Sequence, residues 1–132
     1  TAPKFNIRCI VPSSSVNGAL AGFEQITVPG EGPPLHTHRE ESEIFHVIAG
    51  RFRFVVGDDT LELGPGGYAI IPPGEPHTFK NIGDTDGVLH FEMVPPGTTE
   101  EFFDRLVREF PDITDLAAFF DQYGMDLNGP PL

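Results

Sequence analysis

The sequence has little positive charge, a single cysteine, no tryptophan and no long apolar run. Its 132 residues carry 8 lysines and arginines against 20 aspartates and glutamates, a formal net charge of −12. Nucleic acid and anionic membranes would both be repelled by this surface, so neither is predicted as a partner. Cys9 alone rules out an internal disulfide, and we expect it to be a small buried apolar residue.

No segment predicts a membrane-spanning helix or a secretory signal. The start at Thr1 suggests a trimmed chain, which leaves open what precedes it. Together with the single cysteine, these observations make the cytoplasm the default predicted location.

Fifteen glycines and fourteen prolines lie between short periodic segments, a distribution typical of many strands joined by tight turns. Phe52 and Phe54 alternate with Arg51 and Arg53, which places the aromatic side chains inside and the arginines outside. The predicted fold is all-β, and closing the strands into a double-sheet barrel would leave an interior pocket. Strands are predicted at residues 5–11, 19–28, 34–38, 43–49, 51–57, 60–63, 68–72, 77–81 and 88–94.

The end of the chain differs in kind from the rest. A possible capping box at residues 98–101 precedes apolar residues at helical spacing, and Pro111 would end that helix. A second helix is predicted from near Thr114 to Gly124. We therefore divide the chain into a barrel, residues 1–97, and a helical extension packed on it, residues 98–132.

Three histidines and a glutamate have the chemistry of one divalent metal site. His36 and His38 alternate along a predicted strand, so both imidazoles can point inward. Glu43 follows a polar bend at the head of the next strand, and His77 follows the turn-forming residues 72–76. Imidazole and carboxylate ligands suit Fe(II), Mn(II), Co(II), Ni(II), Cu(II) or Zn(II), and four protein ligands leave positions open on such an ion.

These residues also match two motifs of a known family, and the chain resembles a single-domain cupin. Gly30, His36, His38, Glu43 and Gly50 fill the first cupin motif without a departure. Gly66, Pro72, Gly74, His77 and Asn81 fill the second, and fifteen residues separate the two motifs. The resemblance implies a cupin double-stranded β-helix, or jelly-roll barrel, carrying two short C-terminal helices here.

The resemblance also implies a function. In cupin dioxygenases a small substrate binds the metal through an oxygen and reacts there with dioxygen. By analogy His36, His38 and His77 would hold the metal, and Glu43 would be ligand, catalytic base or both. Residues 124–132 resemble the end of small quercetin 2,3-dioxygenase-like cupins. Small cupins commonly pair at the N-terminal edge, so a homodimer through residues 5–11 is predicted.

The residues around the metal predict the kind of substrate. The strand parity of several apolar residues predicts an apolar, aromatic pocket, and a planar or hydrophobic organic molecule suits it. His90 and Glu92 share a strand face and either line this pocket or face solvent. His46 lies at odd spacing from Glu43 and is expected on the opposite face. The candidate pocket residues are Phe45, Val47, Phe54, Ile71, Phe79, His90 and Glu92.

Three functions remain open at this point. The leading one is a metal-dependent dioxygenase acting on a small phenolic or enol-type substrate. The second is a metal-dependent isomerase, decarboxylase or cyclase that consumes no oxygen. The third is a cupin that binds a small molecule without catalysis.

Overall fold

Two antiparallel sheets face each other in the computed structural model, which describes residues 6–132. The first sheet has the strand order β1-β2-β9-β4-β7, and the second β10-β3-β8-β5-β6. The elements are β1 Asn6–Val11, a 3-10 helix Ser13–Val16, β2 Ala21–Thr27, β3 Pro34–His38, β4 Ser42–Ala49, β5 Phe52–Val56, β6 Asp59–Leu63, β7 Tyr68–Ile71, β8 His77–Asn81, β9 Gly87–Val94, α1 Thr99–Glu109, α2 Leu116–Gln122 and β10 Met125–Pro131.

The core between the sheets is built mainly from phenylalanine. Phe45 of the first sheet packs against Phe54 and Phe79 of the second, with ring centroids 5.2 and 5.4 Å apart. Each ring buried in this way contributes about 1.5–3 kcal/mol through loss of apolar surface from water. The all-β prediction with a jelly-roll barrel is therefore confirmed, and each predicted strand occurs within two residues of its predicted bounds, apart from Phe5, which lies outside the described residues.

Turns in the barrel use glycine where the backbone demands it. Gly50 and Gly66, the glycines that end one cupin motif and begin the other, have φ values of 90° and 88°. A side chain at either position would strain this left-handed backbone. Asn81 ties strands to turns: its Nδ2 donates to the carbonyl oxygens of Thr27 and Thr85, and its Oδ1 accepts from the backbone N–H of Gly83.

The sequence did not predict β10. Residues Met125–Pro131 run antiparallel to β3, where they pair at five positions, whereas β3 pairs with β8 only at His36 and His77. Thr37 Oγ1 adds a hydrogen bond to Asn128 Oδ1 at 2.6 Å. The residues after the helices thus belong to the same sheet as the three predicted histidine ligands, although they fall within the predicted helical extension.

Both predicted helices form, and Phe103 of α1 packs against Phe23 and Phe91 of the first sheet. The buried face of α1 includes Phe102, Phe103 and Leu106, and α2 buries Phe119 and Phe120. The capping box does not form, because the Thr98 side chain makes no cap hydrogen bond. Glu100, in the first turn of α1, accepts hydrogen bonds from Ser13. No helix among residues 6–132 is long and apolar enough to cross a membrane.

Cys9 is exposed, not buried as expected. It lies on β1, which pairs with β2 on one side and forms an edge of its sheet. The position at the edge explains the difference, because less of the protein covers a side chain there.

Candidate metal centre

The four predicted ligands come from both sheets and meet inside the barrel. His36 and His38 project inward from β3, on either side of the outward-bonded Thr37. His77 begins β8 directly opposite His36 in the register, and Glu43 comes from β4 in the facing sheet. The alternation of side chains along β3 and the turn before β8 therefore bring together residues that lie far apart in the sequence.

One ligand atom from each of the four residues lies within 4.8 Å of all the others. Glu43 Oε1 is 3.0 Å from His77 Nε2 and 3.4 Å from His38 Nε2. All four side chains are buried, His38, Glu43 and His77 almost completely. Ligand atoms around one transition-metal ion are at most about 4.4 Å apart, given bonds of about 2.0–2.2 Å, so a small contraction suffices.

The orientation of two imidazoles places lone pairs where only a proton or a cation can satisfy them. The Nδ1 atoms of His36 and His77 lie 2.7 and 2.9 Å from the carbonyl oxygens of Pro34 and Glu75. A carbonyl oxygen only accepts, so both Nδ1 atoms carry hydrogen and both Nε2 atoms of neutral rings carry lone pairs. His77 Nε2 then faces the Glu43 carboxylate at 3.0 Å, which requires a proton or a cation between two acceptors. A divalent metal ion satisfies this donor set.

Burial and neighbouring charge tune the protonation of the cluster. Burial, followed by the charges of His77 and His38, lowers the pKa of His36 to about 3, so this imidazole stays neutral near pH 7. Burial by itself would raise the pKa of Glu43. The charge of His38, whose Nε2 lies 3.4 Å from Glu43 Oε1, outweighs that effect together with His77 and holds the Glu43 pKa well below its usual range. The protein therefore presents a neutral imidazole and an ionised carboxylate, the forms that bind metals.

A cavity of about 40 Å³ adjoins the cluster. It reaches the predicted ligands through His36 and Glu43, and α1 and α2 also contribute side chains to its lining. Its lining is Ile7, Gln25, Pro33, Pro34, His36, Glu43, Phe45, Phe79, Phe91, Phe102, Phe103, Leu106, Leu116, Phe120 and Met125.

The predicted pocket residues separate into three groups. Phe45 and Phe79 line the cavity. Val47, Phe54 and Ile71 are buried in the barrel core but are not among the residues that line the cavity. His90 and Glu92 differ from the pocket expectation, because Leu89, Phe91 and Met93 occupy the inner face of β9 and leave these two residues on the outer face.

The outer face has its own histidine–glutamate pairs. His46 Nε2 lies 2.7 Å from Glu92 Oε1, and His90 Nε2 lies 3.0 Å from Glu24 Oε2. His46 and His90 are register partners on β4 and β9, so the two pairs are neighbours. The position of His46 opposite the metal cluster agrees with the alternation along β4.

Two polar residues near the centre were missed by the sequence reasoning. Gln25 is the one polar lining residue of the cavity besides His36 and Glu43, and it lies on β2 between Ile7 and Leu89 in the register. Glu41 is buried, with Oε1 3.9 Å from His38 Nδ1. Its spacing of three residues from His38 was the available signal, but the sequence could not show whether the bend would bury Glu41 or its neighbour Glu40.

Residues 23–95, more than half of the chain, match the family model of the cupin domain. The chain therefore belongs to the cupin family, in agreement with its two sheets and its buried cluster of three histidines and one glutamate. This match confirms the family resemblance seen in the two motifs. It does not distinguish a quercetin 2,3-dioxygenase-like member from other cupins.

One curated relative is similar to part of the chain. A Streptomyces cyaneus protein described as polyketide synthase CurC is 30% identical over 80 residues, which cover 59% of this chain and 52% of that protein. The chain thus matches about half the length of this curated relative.

Solved structures show the same fold at low identity. The cupin domain of Schizosaccharomyces pombe Cnp3 matches with a TM-score of 0.64 and 19% identity, over 83% of this chain and 77% of that one. A predicted oxalate decarboxylase from Thermotoga maritima matches with a TM-score of 0.63 and 22% identity, over 67% of this chain and 78% of that one. The likeness to both concerns the fold.

Proposed function

We propose that this cupin is a metal-dependent enzyme acting on a small organic molecule, and specifically a dioxygenase of a phenolic or enol-type substrate. The observation that carries the proposal is the contact between the apolar cavity and two of the four ligands, His36 and Glu43. Four protein ligands leave positions open on a six-coordinate ion, and the cavity supplies room beside them. A purely structural metal site is usually closed by its protein ligands.

Each residue has a distinct role in this proposal. His36, His38 and His77 hold the metal, and the backbone carbonyls of Pro34 and Glu75 fix the ring orientations of the first and third. When bound, the metal supplies a Lewis acid for a substrate oxygen and a redox partner for dioxygen. Glu43, the fourth ligand, also accepts the proton of the substrate hydroxyl, because its carboxylate borders the cavity beside His36.

The cavity walls favour an uncharged, compact substrate. Aromatic and aliphatic side chains from the barrel and the helices exclude water and present flat apolar surface. The amide of Gln25 offers the substrate a hydrogen bond among these walls. A ring bearing two neighbouring oxygen functions fits this arrangement better than a sugar phosphate does, since lysine and arginine do not occur among the lining residues.

Metal analysis and oxygen consumption test the proposal together. The protein is expressed without a polyhistidine tag, its metal is measured by elemental analysis, and Fe(II)- and Ni(II)-loaded samples are assayed in an oxygen electrode. The panel includes catechol, small enolisable diketones and quercetin. We expect one ion per chain and oxygen uptake that depends on a small substrate.

Other outcomes separate the alternatives. Turnover without oxygen uptake would favour a metal-dependent isomerase, decarboxylase or cyclase. Ligand binding without turnover of any compound would favour a non-catalytic cupin. Absence of metal under every loading condition would contradict the proposed site.

Glu43→Gln tests the proton-accepting role. The amide preserves the shape of the side chain but cannot take a proton from the substrate, so we expect the rate constant kcat to fall about 100-fold or more while some metal is retained. Single-turnover rates are compared at equal metal occupancy, with the exposed Glu40→Gln as the control. Full activity of Glu43→Gln at equal metal occupancy would contradict the role of Glu43 as the proton acceptor.

Three further predictions accompany this function. A homodimer formed through the N-terminal edge is measured by light scattering coupled to size-exclusion chromatography. The cytoplasmic location follows from the sequence considerations above. The division between a barrel and a C-terminal extension is tested by limited proteolysis. Because β10 is paired with β3, we expect the residues after 124 to resist cleavage by the protease.

A further inference from the structure

Glu41 is a buried carboxylate next to a metal ligand. Its Oε1 lies 3.9 Å from His38 Nδ1, and its side chain is only 8% exposed. Both His38 ring nitrogens and Glu41 Oε1 are buried without a hydrogen-bond partner within the described residues. Unsatisfied buried polar atoms are costly, so two of them facing each other indicate a contact that forms when the site is filled.

The other two histidines show what His38 lacks. His36 and His77 each donate Nδ1–H to a backbone carbonyl two residues earlier in the chain. His38 Nδ1 has no such carbonyl partner, and the group that faces it is the Glu41 carboxylate. A hydrogen bond at Nδ1 fixes the tautomer of a metal-binding imidazole and directs Nε2 to the ion.

The surroundings of Glu41 hold it in this place. Gly97, in the segment between β9 and α1, approaches so closely that a Cβ atom there would lie 2.7 Å from Glu41 Oε2. Glu40, the preceding residue, is exposed instead. The bend therefore turns one of two adjacent glutamates inward and leaves the other in solvent.

Charge balance gives a second reason for a buried carboxylate here. A divalent ion held by three neutral imidazoles and the Glu43 carboxylate keeps one net positive charge inside the barrel. An uncompensated buried charge is unfavourable, and a second carboxylate beside a ligand neutralises it. Glu41 supplies that charge without occupying a coordination position, which remains open toward the cavity.

We propose that Glu41 is a positioning residue that accepts the Nδ1–H of His38 and thereby sets the affinity of the proposed metal site. The inference rests on the proposed metal-binding function and goes beyond it, because it assigns a role to a residue outside the four ligands. The Nδ1 partners of His36 and His77 are neutral carbonyl oxygens, whereas the partner of His38 is an anionic carboxylate. The negative charge of its partner makes His38 the most electron-rich of the three imidazole ligands.

The test compares Glu41→Gln with Glu40→Gln. The two substitutions remove the same charge from adjacent positions, one buried and one exposed. The Zn(II) dissociation constant of each metal-free protein is measured by competition with a chromophoric chelator, after circular dichroism and thermal melting have shown that the variant is folded. We expect the Zn(II) dissociation constant of Glu41→Gln to be about 10–100-fold higher than that of the wild type. The dissociation constant of Glu40→Gln should change by less than about threefold, because solvent screens the charge at this exposed position.

A measurement on the unchanged protein keeps the proposal falsifiable if Glu41→Gln fails to fold. In the Zn(II)-loaded protein with ¹⁵N-labelled histidine, NMR reports which nitrogen of each metal-bound ring carries the proton. We expect a His38 Nδ1–H signal protected from exchange with water. A proton on His38 Nε2, or equal Zn(II) affinity in the two variants, would overturn the role of Glu41. Failure of the wild-type protein to bind Zn(II) would instead contradict the metal site itself.

Discussion

Histidine and glutamate side chains meet at similar distances inside the barrel and on the outer face of the first sheet. His77 and Glu43 are 3.0 Å apart inside, and His90 and Glu24 are 3.0 Å apart outside. The inner side chains are 1% and 3% exposed, whereas the outer ones are 34% and 20% exposed. Distance between two partners therefore does not distinguish the two regions.

Convergence and burial do distinguish them. The inner four residues direct one ligand atom each to a common point, and they are the one such group found within residues 6–132. On the outer face each histidine has a single glutamate partner and access to water. A protein surface can satisfy such pairs with solvent, but the buried lone pairs of the inner cluster require an ion or a proton.

The largest expected effect is on metal binding. His38→Ala removes one of four convergent ligands. Loss of a residue that only hydrogen-bonds to a ligand typically weakens metal binding about 10–100-fold, so we expect the affinity for Zn(II) to fall by more than that factor. Isothermal titration calorimetry of the metal-free proteins measures this change. His46→Ala is the matched control from the outer face, and we expect its affinity to equal that of the wild type. Equal metal content in the His38 variant would show that the ligand assignment is wrong.

The next effect concerns stability against acid in the metal-free protein. His36 has a folded-state pKa of about 3, and an unfolded histidine has one near 6.5. Between these values the unfolded chain binds a proton that the folded protein does not, so the free energy of unfolding decreases as pH falls, by about 1.4 kcal/mol per unit. This stabilisation is complete above pH 6.5 and is lost progressively toward pH 3.

Urea unfolding in EDTA at pH 6.5 and pH 5.0 measures the contribution of His36. The free energy of unfolding of the wild type and of His36→Gln is compared between pH 6.5 and pH 5.0. We expect the decrease over this interval to be about 1.5–2 kcal/mol smaller in His36→Gln than in the wild type, because the variant lacks the histidine that takes up a proton on unfolding. The low pKa of Glu43 adds its own effect only below the usual carboxylate range near pH 4.5. A slope in His36→Gln equal to that of the wild type would contradict the lowered pKa of His36.

The smallest effect is expected for the outer pairs. Glu92→Gln removes the charge that faces His46 at 2.7 Å on a partly exposed face. Exposed and half-exposed ion pairs contribute at most about 1 kcal/mol, so the free energy of unfolding should change by no more than that. Chemical denaturation at pH 7 checks the value. A loss of several kcal/mol would mean that the outer pairs stabilise the fold in a way that their exposure does not suggest.

The metal ligands could be predicted because short-range geometry determines most of their placement. His36 and His38 share a face by alternation, and the turn before His77 is formed by proline and glycine. The apolar alternation of Phe45 and Val47 likewise indicated the inner face of β4. The same alternation applies to β9, where Leu89, Phe91 and Met93 could have assigned His90 and Glu92 to the outside.

Strand β10 could not be predicted in the same way. Asn128, Gly129, Pro130 and Pro131 have the composition of a turn, and proline cannot donate to a central ladder. β10 lies at the edge of its sheet, where one side of the strand needs no partner, and its register shifts at Gly129 and Pro131. The tertiary position thus permits a strand that local composition argues against.

The pairing of β10 with β3 also determines when the metal site can be completed. The strand that carries His36 and His38 is flanked along most of its length by residues that are synthesised last among those described. While the chain emerges from the ribosome, both histidines are already present but their strand lacks its main neighbour, and such long-range pairing forms late. Metal loading should therefore follow synthesis of the barrel, and a stalled or clipped chain ending before residue 125 should bind metal poorly.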